Sequence, residues 1–279
     1  MTDEAHAPAI SRLYRFHVDR VLGRGGSGVV YRGVDKETKE VRALKLFHST
    51  FFVNRAHIKE MERNVRSMSK LNHENVAHLY EFLSGDEGEC LVLEYVDGPD
   101  LRWYVINRPW NLQERLVVAA QICNGLQYIH ERGLVHHDVK PSNILFTRKG
   151  QVKITDYSLA RSRILAFFGA SITELVTPMF VAPELIQKEK ATPKSDQYAL
   201  GVTMYFMFTG QYPFQVDSLQ KIYQLHLKAK PDHPTLVNHR CPQALGDIIM
   251  RLLEKKPENR FSDCDQLRIA LSSIGVSRI

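Results

Sequence analysis

A stretch of eleven residues in the middle of the chain, 135–145, contains side chains that could carry out chemistry. Its sequence is V-H-H-D-V-K-P-S-N-I-L, with an acid at Asp138, a cation at Lys140 and an amide at Asn143 between two short apolar runs. Asp138 could accept a proton from a hydroxyl, Lys140 could neutralise a phosphate, and Asn143 could bind a metal ion through its carbonyl oxygen. The same spacing also occurs in ordinary surface loops, so its interpretation depends on the residues around it.

A second carboxylate follows soon after this stretch. The run K-I-T-D begins ten residues after Asn143 and leads from a short strand into Asp156. Mg²⁺ prefers oxygen ligands in octahedral geometry, and it takes one or two of them from protein and others from phosphate. Asn143 and Asp156 are therefore candidate ligands of a magnesium–ATP site.

Three glycines near the start of the chain could bring backbone close to phosphates. Gly23, Gly25 and Gly28 have the spacing G-x-G-x-x-G within L-G-R-G-G-S-G-V-V. In a dinucleotide-binding fold these glycines would open a helix, with an acid about twenty residues later. Here the run V-V-Y-R-G-V-D continues as a second strand, which predicts that the glycines form the tip of a β-hairpin. The backbone N–H groups of such a tip can face phosphates.

The next predicted strand places a lysine beside a small residue. The segment 41–46 is V-R-A-L-K-L, and alternation along a strand puts Ala43 and Lys45 on the same face. An isolated lysine on an edge strand usually reaches water. After a glycine hairpin, however, this pair also suits an adenine ring and its phosphates.

Composition and charge limit the possible partners. The chain has 279 residues, of which 44% are apolar and 24% charged, as in a globular protein. Its net charge of +6 fits an anionic ligand, but the charge is dispersed, which disfavours a nucleic-acid partner. The longest apolar stretch, 198–209, is too short and too interrupted to span a membrane.

The cysteines and the N-terminus indicate a cytoplasmic protein. The four cysteines have no metal-ligand spacing and are expected to be reduced and mostly buried: Cys90, Cys123, Cys241 and Cys264. The first residues, M-T-D-E-A-H-A-P, contain acids and lack the apolar core of a signal peptide.

Together the motifs resemble the eukaryotic-like (Hanks-type) protein serine/threonine kinases. The run H-H-D-V-K-P-S-N resembles their catalytic loop H-R-D-x-x-x-x-N, A-L-K resembles their V-A-I-K strand, and T-P-M-F-V-A-P-E resembles T-P-x-Y-x-A-P-E. The resemblance extends over about residues 14–272. It implies an α+β, two-lobed kinase fold in which a small antiparallel five-stranded sheet with one helix lies over a mainly α-helical lobe. The N-lobe would be 14–96 and the C-lobe 97–279, after a tail of 1–13.

The resemblance assigns roles to individual residues. Asp138 would orient a serine or threonine hydroxyl of a protein substrate and accept its proton, Lys140 would stabilise the transferred phosphoryl group, and Lys45 would hold the α/β-phosphates. Asn143 and Asp156 would hold Mg²⁺. Leu93 would guard the back of the adenine pocket, the backbone of Glu94 and Val96 would bind the adenine edge, and Asp100 would approach the ribose. The full set around ATP would be Leu22, Gly23, Gly25, Gly28, Val30, Ala43, Lys45, Leu93, Glu94, Val96, Asp100 and Leu145.

The resemblance also implies supporting contacts in the C-lobe. Thr177 would bond Asp138 and Lys140. Together with the K-P-S-N form of the catalytic loop, this favours serine or threonine over tyrosine as the acceptor. Asp196 would bond the backbone of the catalytic loop, and Arg260 would form an ion pair with Glu184.

The sequence departs from the family at four places. Asn64 falls where a helix glutamate would pair with Lys45, with Glu60 one turn earlier, and His137 replaces the arginine before the catalytic acid. Asp156-Tyr157-Ser158 replaces D-F-G, and the activation-segment stretch 164–172 is unusually apolar, so that it could dock on the chain itself or on a partner. Because His137 cannot clamp a phosphate, we expect activity that does not depend on phosphorylation of Ser162, Ser171 or Thr173.

Two other functions remain open from the sequence. A pseudokinase would bind nucleotide and act as a scaffold or allosteric module, and the substitutions at 64, 137 and 157–158 favour it. A small-molecule phosphotransferase would share the loop chemistry but has no reason to carry T-P-x-x-x-A-P-E. The retained acids and lysines favour the protein kinase.

Overall fold

The computed structural model describes residues 15–52, 54–85, 88–156 and 177–276. The described chain forms two compact units, one running to His73 and including Ala77–Asp97, the other made of Glu74–Val76 and the residues from Gly98 onward. The predicted tail 1–13, Tyr157, Ser158, the apolar stretch 164–172 and the three possible phosphorylation sites lie outside the described residues.

The first unit is an antiparallel sheet of five strands with one helix, as predicted. The strands are β1 (Phe16–Gly25), β2 (Gly28–Asp35), β3 (Val41–Phe47), β4 (Leu79–Gly85) and β5 (Gly88–Glu94), and the helix is α1 (Arg55–Met68). The sheet order is β1-β2-β3-β5-β4. The alternating apolar residues of the first strands bury one face of the sheet, whose core is Phe16, Val18, Tyr31, Leu44, Cys90 and Val92.

Helix α1 starts at a side-chain cap and buries a narrow face. Asn54 Oδ1 accepts from the backbone N–H groups of Ala56 and His57, which satisfies donors that have no partner within the helix. The buried residues recur every three or four positions: His57, Met61, Val65 and Met68.

The second unit is mainly helical. Its helices are α2 (Leu101–Asn107), α3 (Leu112–His130), α4 (Pro183–Ile186), α5 (Pro193–Thr209), α6 (Leu219–Lys228), α7 (Pro234–Val237), α8 (Gln243–Leu252) and α9 (Cys264–Val276). The predicted capping box is present, since Asn111 and Glu114 bond each other's backbone N–H groups at the start of α3. Helix α5 is almost entirely buried and lies in the core beside α3 and α8.

A short hairpin in the second unit carries the site residues. The 3₁₀ turn Pro141–Asn143 leads into β6 (Ile144–Phe146), which pairs antiparallel with β7 (Val152–Ile154). Thr155 N–H donates to the Asn143 carbonyl at 2.9 Å, so the hairpin holds the residue before Asp156 next to Asn143.

No helix in the described part of the chain has the length and apolarity to cross a bilayer. The four cysteines are buried free thiols, as expected. Burial raises the pKa of Cys90 and of Cys123 to about 12 and that of Cys241 to about 11.

Candidate active site

The catalytic-loop residues meet at the carboxylate of Asp138. Lys140 Nζ lies 2.8 Å from Asp138 Oδ2, and Asn143 Nδ2 donates to the same oxygen at 3.0 Å and to the Asp138 carbonyl at 2.8 Å. The side chain of Asp138 is only 3% exposed. A cation and an amide therefore hold this carboxylate in one orientation, which is a requirement for a group that must meet an incoming hydroxyl.

Lys140 also connects the loop to the segment that follows the undescribed residues. Its Nζ donates to Thr177 Oγ1 at 2.9 Å. The predicted bond from Thr177 to Lys140 is thus present, whereas the link from Thr177 to Asp138 runs through the ammonium of Lys140. Thr177 leads directly into the 3₁₀ turn Pro178–Phe180.

Asp196, at the start of α5, fixes the backbone of the loop, as predicted. Its two carboxylate oxygens accept from His136 N–H at 2.7 Å and His137 N–H at 2.9 Å, and its Oδ2 also bonds His130 Nε2 at 2.8 Å. Although burial by itself would raise the pKa of Asp196, the hydrogen bond from His130 and the neighbouring histidines lower it.

The two histidines before Asp138 are held neutral. Burial lowers the pKa of His136 and of His137 below the ordinary value. His136 Nδ1 accepts from Asp138 N–H at 3.2 Å, so its Nε2 carries the proton and donates to the Thr155 carbonyl at 3.1 Å. The backbone of His137 is left-handed, with φ of 69°. Position 137 therefore places no cation beside the loop at neutral pH.

Asn143 and Asp156 fit a hard divalent cation. The amide nitrogen of Asn143 is used by Asp138, so the amide oxygen is the part of the side chain left to bind a metal. Asp156 follows β7 in a left-handed conformation, with φ of 60°, and such strained positions are concentrated at functional sites. An amide oxygen and a carboxylate are the protein ligands that Mg²⁺ prefers.

The predicted ion pair between Arg260 and Glu184 is confirmed and is bidentate. Arg260 Nη1 and Nη2 lie 2.7 and 2.9 Å from the two carboxylate oxygens of Glu184. Ser195 Oγ donates to the same carboxylate at 2.8 Å. Both charged groups are buried, and these bonds satisfy charges that would otherwise destabilise the unit.

The predicted phosphate-binding lysine of the first unit is buried in its sheet. Lys45 is 8% exposed and pairs with Leu91 of β5, while Ala43 pairs with Leu93. Alternation puts Ala43 and Lys45 on one face of β3, as the sequence predicts. Val30 of β2 is the neighbour of Lys45 on the other side.

The glycine-rich segment forms the predicted hairpin tip between β1 and β2. Gly25 pairs with Gly28 across the two-residue loop Gly26-Ser27. An added Cβ at Gly28 would lie 2.0 Å from the Leu46 carbonyl oxygen, whereas Gly23 and Gly25 have no atom within 4 Å of that position. Gly28 is therefore required by the close approach of β3, and the other two glycines face open space.

Asn64 lies on α1 with its amide partly buried. Its Nδ2 is inaccessible and has no hydrogen-bond partner, although a buried donor without a partner is costly. The side chains of both Asn64 and Glu60 are half-buried. The assignment of Asn64 to the glutamate's place remains a prediction.

The remaining residues predicted to surround ATP lie on β1, at the end of β5 and just beyond it, and on β6. Glu94 ends β5, where its backbone N–H and side chain bond the His78 backbone. Leu93 and Val96 are buried and Leu22 is exposed. Asp100 in the second unit bridges Leu145 of β6 and caps α2 through Trp103 N–H, a structural role that the sequence did not indicate.

Two residues with important contacts were missed. His130 bonds Asp196, and it could have been found because it extends the buried i, i+4 series of Ile122 and Leu126 with a polar residue. Gly98 approaches β6 so closely that an added Cβ would lie 2.2 Å from the Phe146 carbonyl oxygen. The need for a glycine at position 98 could not be predicted, because Phe146 is distant in the sequence and comes close only in the folded chain.

Comparison with protein families matches residues 16–270 to the family described as "Protein kinase domain". The chain belongs to this family.

Its relatives include bacterial proteins named as serine/threonine-protein kinases. The chain is similar to Serine/threonine-protein kinase PrkC of Bacillus subtilis, with 30% identity over 254 residues that cover 91% of this chain and 39% of PrkC. It is 31% identical over 274 residues to Serine/threonine-protein kinase Pkn1 of Myxococcus xanthus, covering 96% of this chain and 39% of Pkn1. The chain thus spans about two fifths of the length of these relatives.

A solved structure shows the same fold. The kinase domain of Mycobacterium tuberculosis PknI superposes with a TM-score of 0.72 at 24% identity, covering 92% of this chain and 95% of that one. The two-lobed kinase fold predicted from the sequence is therefore confirmed.

Proposed function

We propose that this chain is an ATP-dependent protein serine/threonine kinase that transfers the γ-phosphoryl group of Mg-ATP to a protein hydroxyl. The observation that carries the proposal is the position of Lys140, whose ammonium contacts both Asp138 and Thr177. Lys140 thereby joins the proposed proton acceptor, Asp138, to Thr177, which lies where the protein substrate is expected. The same ammonium is the cation that would balance the charge of the transferred phosphoryl group.

The chain's own residues account for positioning and proton transfer. Asp138 accepts the proton of the serine or threonine hydroxyl and orients its oxygen, and Lys140 balances the negative charge of the phosphoryl group. Asn143 keeps the Asp138 carboxylate in place. Phosphoryl transfer needs little covalent chemistry from protein, so such positioning and charge supply most of the catalysis.

ATP and Mg²⁺ are the cofactors that this function requires. Asn143 and Asp156 would hold Mg²⁺, which neutralises charge on the phosphates when bound. Lys45, the glycine hairpin and the residues that end β5 would contact the nucleotide. The family membership supports ATP as the phosphoryl donor.

The proposed kinase does not need a phosphate on its activation segment. An arginine at position 137 would provide a bidentate phosphate clamp, whereas a neutral histidine provides neither the charge nor the fork. The lowered pKa of His137 supports this proposal, because the ring stays neutral at physiological pH.

One observation favours a pseudokinase as the second candidate. If Asn64 stands in the glutamate's place, helix α1 offers Lys45 a neutral amide where the family has a carboxylate. The amide nitrogen of Asn64 is itself buried without a hydrogen-bond partner. A chain of this kind could bind nucleotide and signal by shape alone.

Transfer of labelled phosphate separates the two functions. The protein kinase predicts steady-state transfer from γ-labelled ATP to a generic basic protein, lost in Asp138→Asn. A thermal shift with ATP and Mg²⁺ but no transfer would support the pseudokinase instead.

A further inference from the structure

A row of three polar side chains lies beneath the turn Pro178–Phe180, and the proposed chemistry leaves it unexplained. Tyr198 of α5 and His226 of α6 are completely buried, and Tyr198 Oη lies 2.9 Å from His226 Nδ1. Lys255, which follows α8, completes the row with Nζ 3.4 Å from Tyr198 Oη. Two completely buried polar side chains and a half-buried lysine in the core of a helical unit call for a functional or structural reason.

The chemistry of these groups fixes the direction of their hydrogen bonds. Burial lowers the pKa of Lys255 to about 8, so at neutral pH it remains an ammonium that only donates. Tyr198 Oη therefore accepts from Lys255 and gives its own proton to His226 Nδ1. Burial also raises the pKa of Tyr198, which keeps that proton on the phenol.

His226 must then carry its proton on the other nitrogen. Burial, and next the charge of Lys255, lower the pKa of His226 to about 3, so the ring is neutral across the physiological range. A neutral imidazole has one N–H, and since Nδ1 accepts from Tyr198, the donor is Nε2. The hydrogen bonds from Lys255 to Tyr198 and from Tyr198 to His226 therefore leave His226 Nε2–H as a donor at the end of the row.

The Nε2–H group of His226 faces the turn Pro178–Phe180, which follows Thr177 on the side of the site where the protein substrate is expected. His226 Nε2 is buried and has no hydrogen-bond partner of standard geometry, yet the backbone of Pro178 and Met179 lies near enough to influence its pKa. Helix α6 packs directly on the turn Pro178–Phe180. A buried donor without an acceptor is unfavourable, so a small movement of the turn that aligns a carbonyl with Nε2 is favoured.

We propose that His226 is a positioning residue for the protein substrate. Its Nε2–H donates a hydrogen bond to the carbonyl oxygen of Pro178 or Met179, and this bond fixes the position of the turn Pro178–Phe180. The turn begins immediately after Thr177, which Lys140 bonds at 2.9 Å. The effect of His226 therefore reaches the acceptor side of the site and leaves nucleotide binding unchanged. This inference rests on the proposed kinase function.

Three substitutions at position 226 test which ring nitrogen matters. The amide nitrogen of glutamine can replace Nε2, that of asparagine lies nearer to Nδ1, and phenylalanine keeps a ring without either. We expect His226→Phe and His226→Asn to raise the KM for the protein substrate about tenfold, as for the loss of one hydrogen bond. His226→Gln should stay within about threefold of the wild type, and the KM for ATP should change less than about twofold in all three.

The same series can overturn the proposal. An unchanged substrate KM in His226→Phe, a parallel rise in the KM for ATP, or recovery by asparagine and not by glutamine would each contradict it. Thermal unfolding of the three variants serves as the control. If His226 has a purely structural role, the KM for the protein substrate should correlate with the melting temperatures of the variants and not with the position of the amide nitrogen.

A second measurement does not depend on activity. The ¹⁵N shifts of labelled histidine at pH 7, with His226→Gln to assign the signal, should show His226 protonated at Nε2 only. An Nδ1–H tautomer or a cationic ring would overturn the proposal. If the wild type transfers no phosphate, the kinase function fails, while the tautomer still decides the hydrogen-bond direction on which this inference depends.

Discussion

At the scale of single residues, Lys140 is the centre of the site because it contacts two side chains with different duties. Asp138 would act on the substrate hydroxyl, and Thr177 belongs to the segment expected beside the substrate. The sequence predicted Asp138, Lys140 and Asn143 from their types and spacing. It could not show that one ammonium joins Asp138 to a residue 37 positions beyond Lys140, since that depends on folding.

Removing the Thr177 hydroxyl tests this junction. Thr177→Val keeps the shape of the side chain but loses the bond to Lys140, and hydrogen bonds to charged groups contribute about 1.5–3 kcal/mol. We expect kcat/KM for the protein substrate to fall by about 10- to 100-fold. Thr177→Ser is the matched control and should retain most activity. A kcat/KM in Thr177→Val equal to that of the wild type would show that the bond between Thr177 and Lys140 does not contribute to activity.

Asn64 permits a test by gain of activity. If it occupies the glutamate's place, Asn64→Glu gives helix α1 a carboxylate that can pair with Lys45, and a charged partner is stronger than a neutral amide. The expected result is a rise in kcat/KM for ATP of about three- to tenfold. Asn64→Gln, which adds length without charge, should give no such rise; a loss of activity with glutamate would show that Asn64 has another role.

At the scale of elements, α5 organises the second unit. Its N-terminal Asp196 holds the loop backbone, and Tyr198, two residues later, bonds His226 beneath the turn Pro178–Phe180. The apolar run 198–209 predicted a buried helix, and α5 is that helix. The hairpin tip, the capping box and the Arg260 pair were also predictable, because each depends on local sequence or on a family motif.

Contacts between distant segments account for what the sequence could not predict. Gly98 approaches β6, and the Pro99 carbonyl accepts from Phe146 N–H at 2.9 Å. We expect Gly98→Ala to push the backbone away from β6 and to destabilise the protein by about 1–3 kcal/mol, measured by denaturant unfolding. Gly150→Asn, at an open turn position with φ of 79°, is the control and should change stability little; a neutral Gly98→Ala would mean that β6 can shift freely.

At the scale of the whole molecule, the buried histidines make stability depend on pH. His136, His137 and His226 have pKa values lowered by burial from 6.5. The folded state therefore excludes protons that the unfolded state binds below pH 6.5. Their contribution to stability is complete above that pH and declines as the pH falls, for His226 down to about pH 3.

The melting temperature should accordingly drop between pH 7 and pH 5. Each neutral histidine contributes a slope of up to about 1.4 kcal/mol per pH unit where only the unfolded state is protonated. His226→Phe should show a shallower decline than the wild type over the same range. A melting temperature that is constant from pH 7 to pH 5 would contradict the assigned neutral state of these rings.

The central claim is that Asp138, held by Lys140 and Asn143, directs a phosphoryl group from ATP onto a serine or threonine. The most direct measurement is phosphoamino-acid analysis of a protein substrate incubated with γ-labelled ATP and Mg²⁺. The account predicts label on phosphoserine or phosphothreonine with wild-type protein and none above background with Asp138→Asn. Label that persists undiminished in Asp138→Asn, or that is absent with wild-type protein that binds ATP, would contradict it.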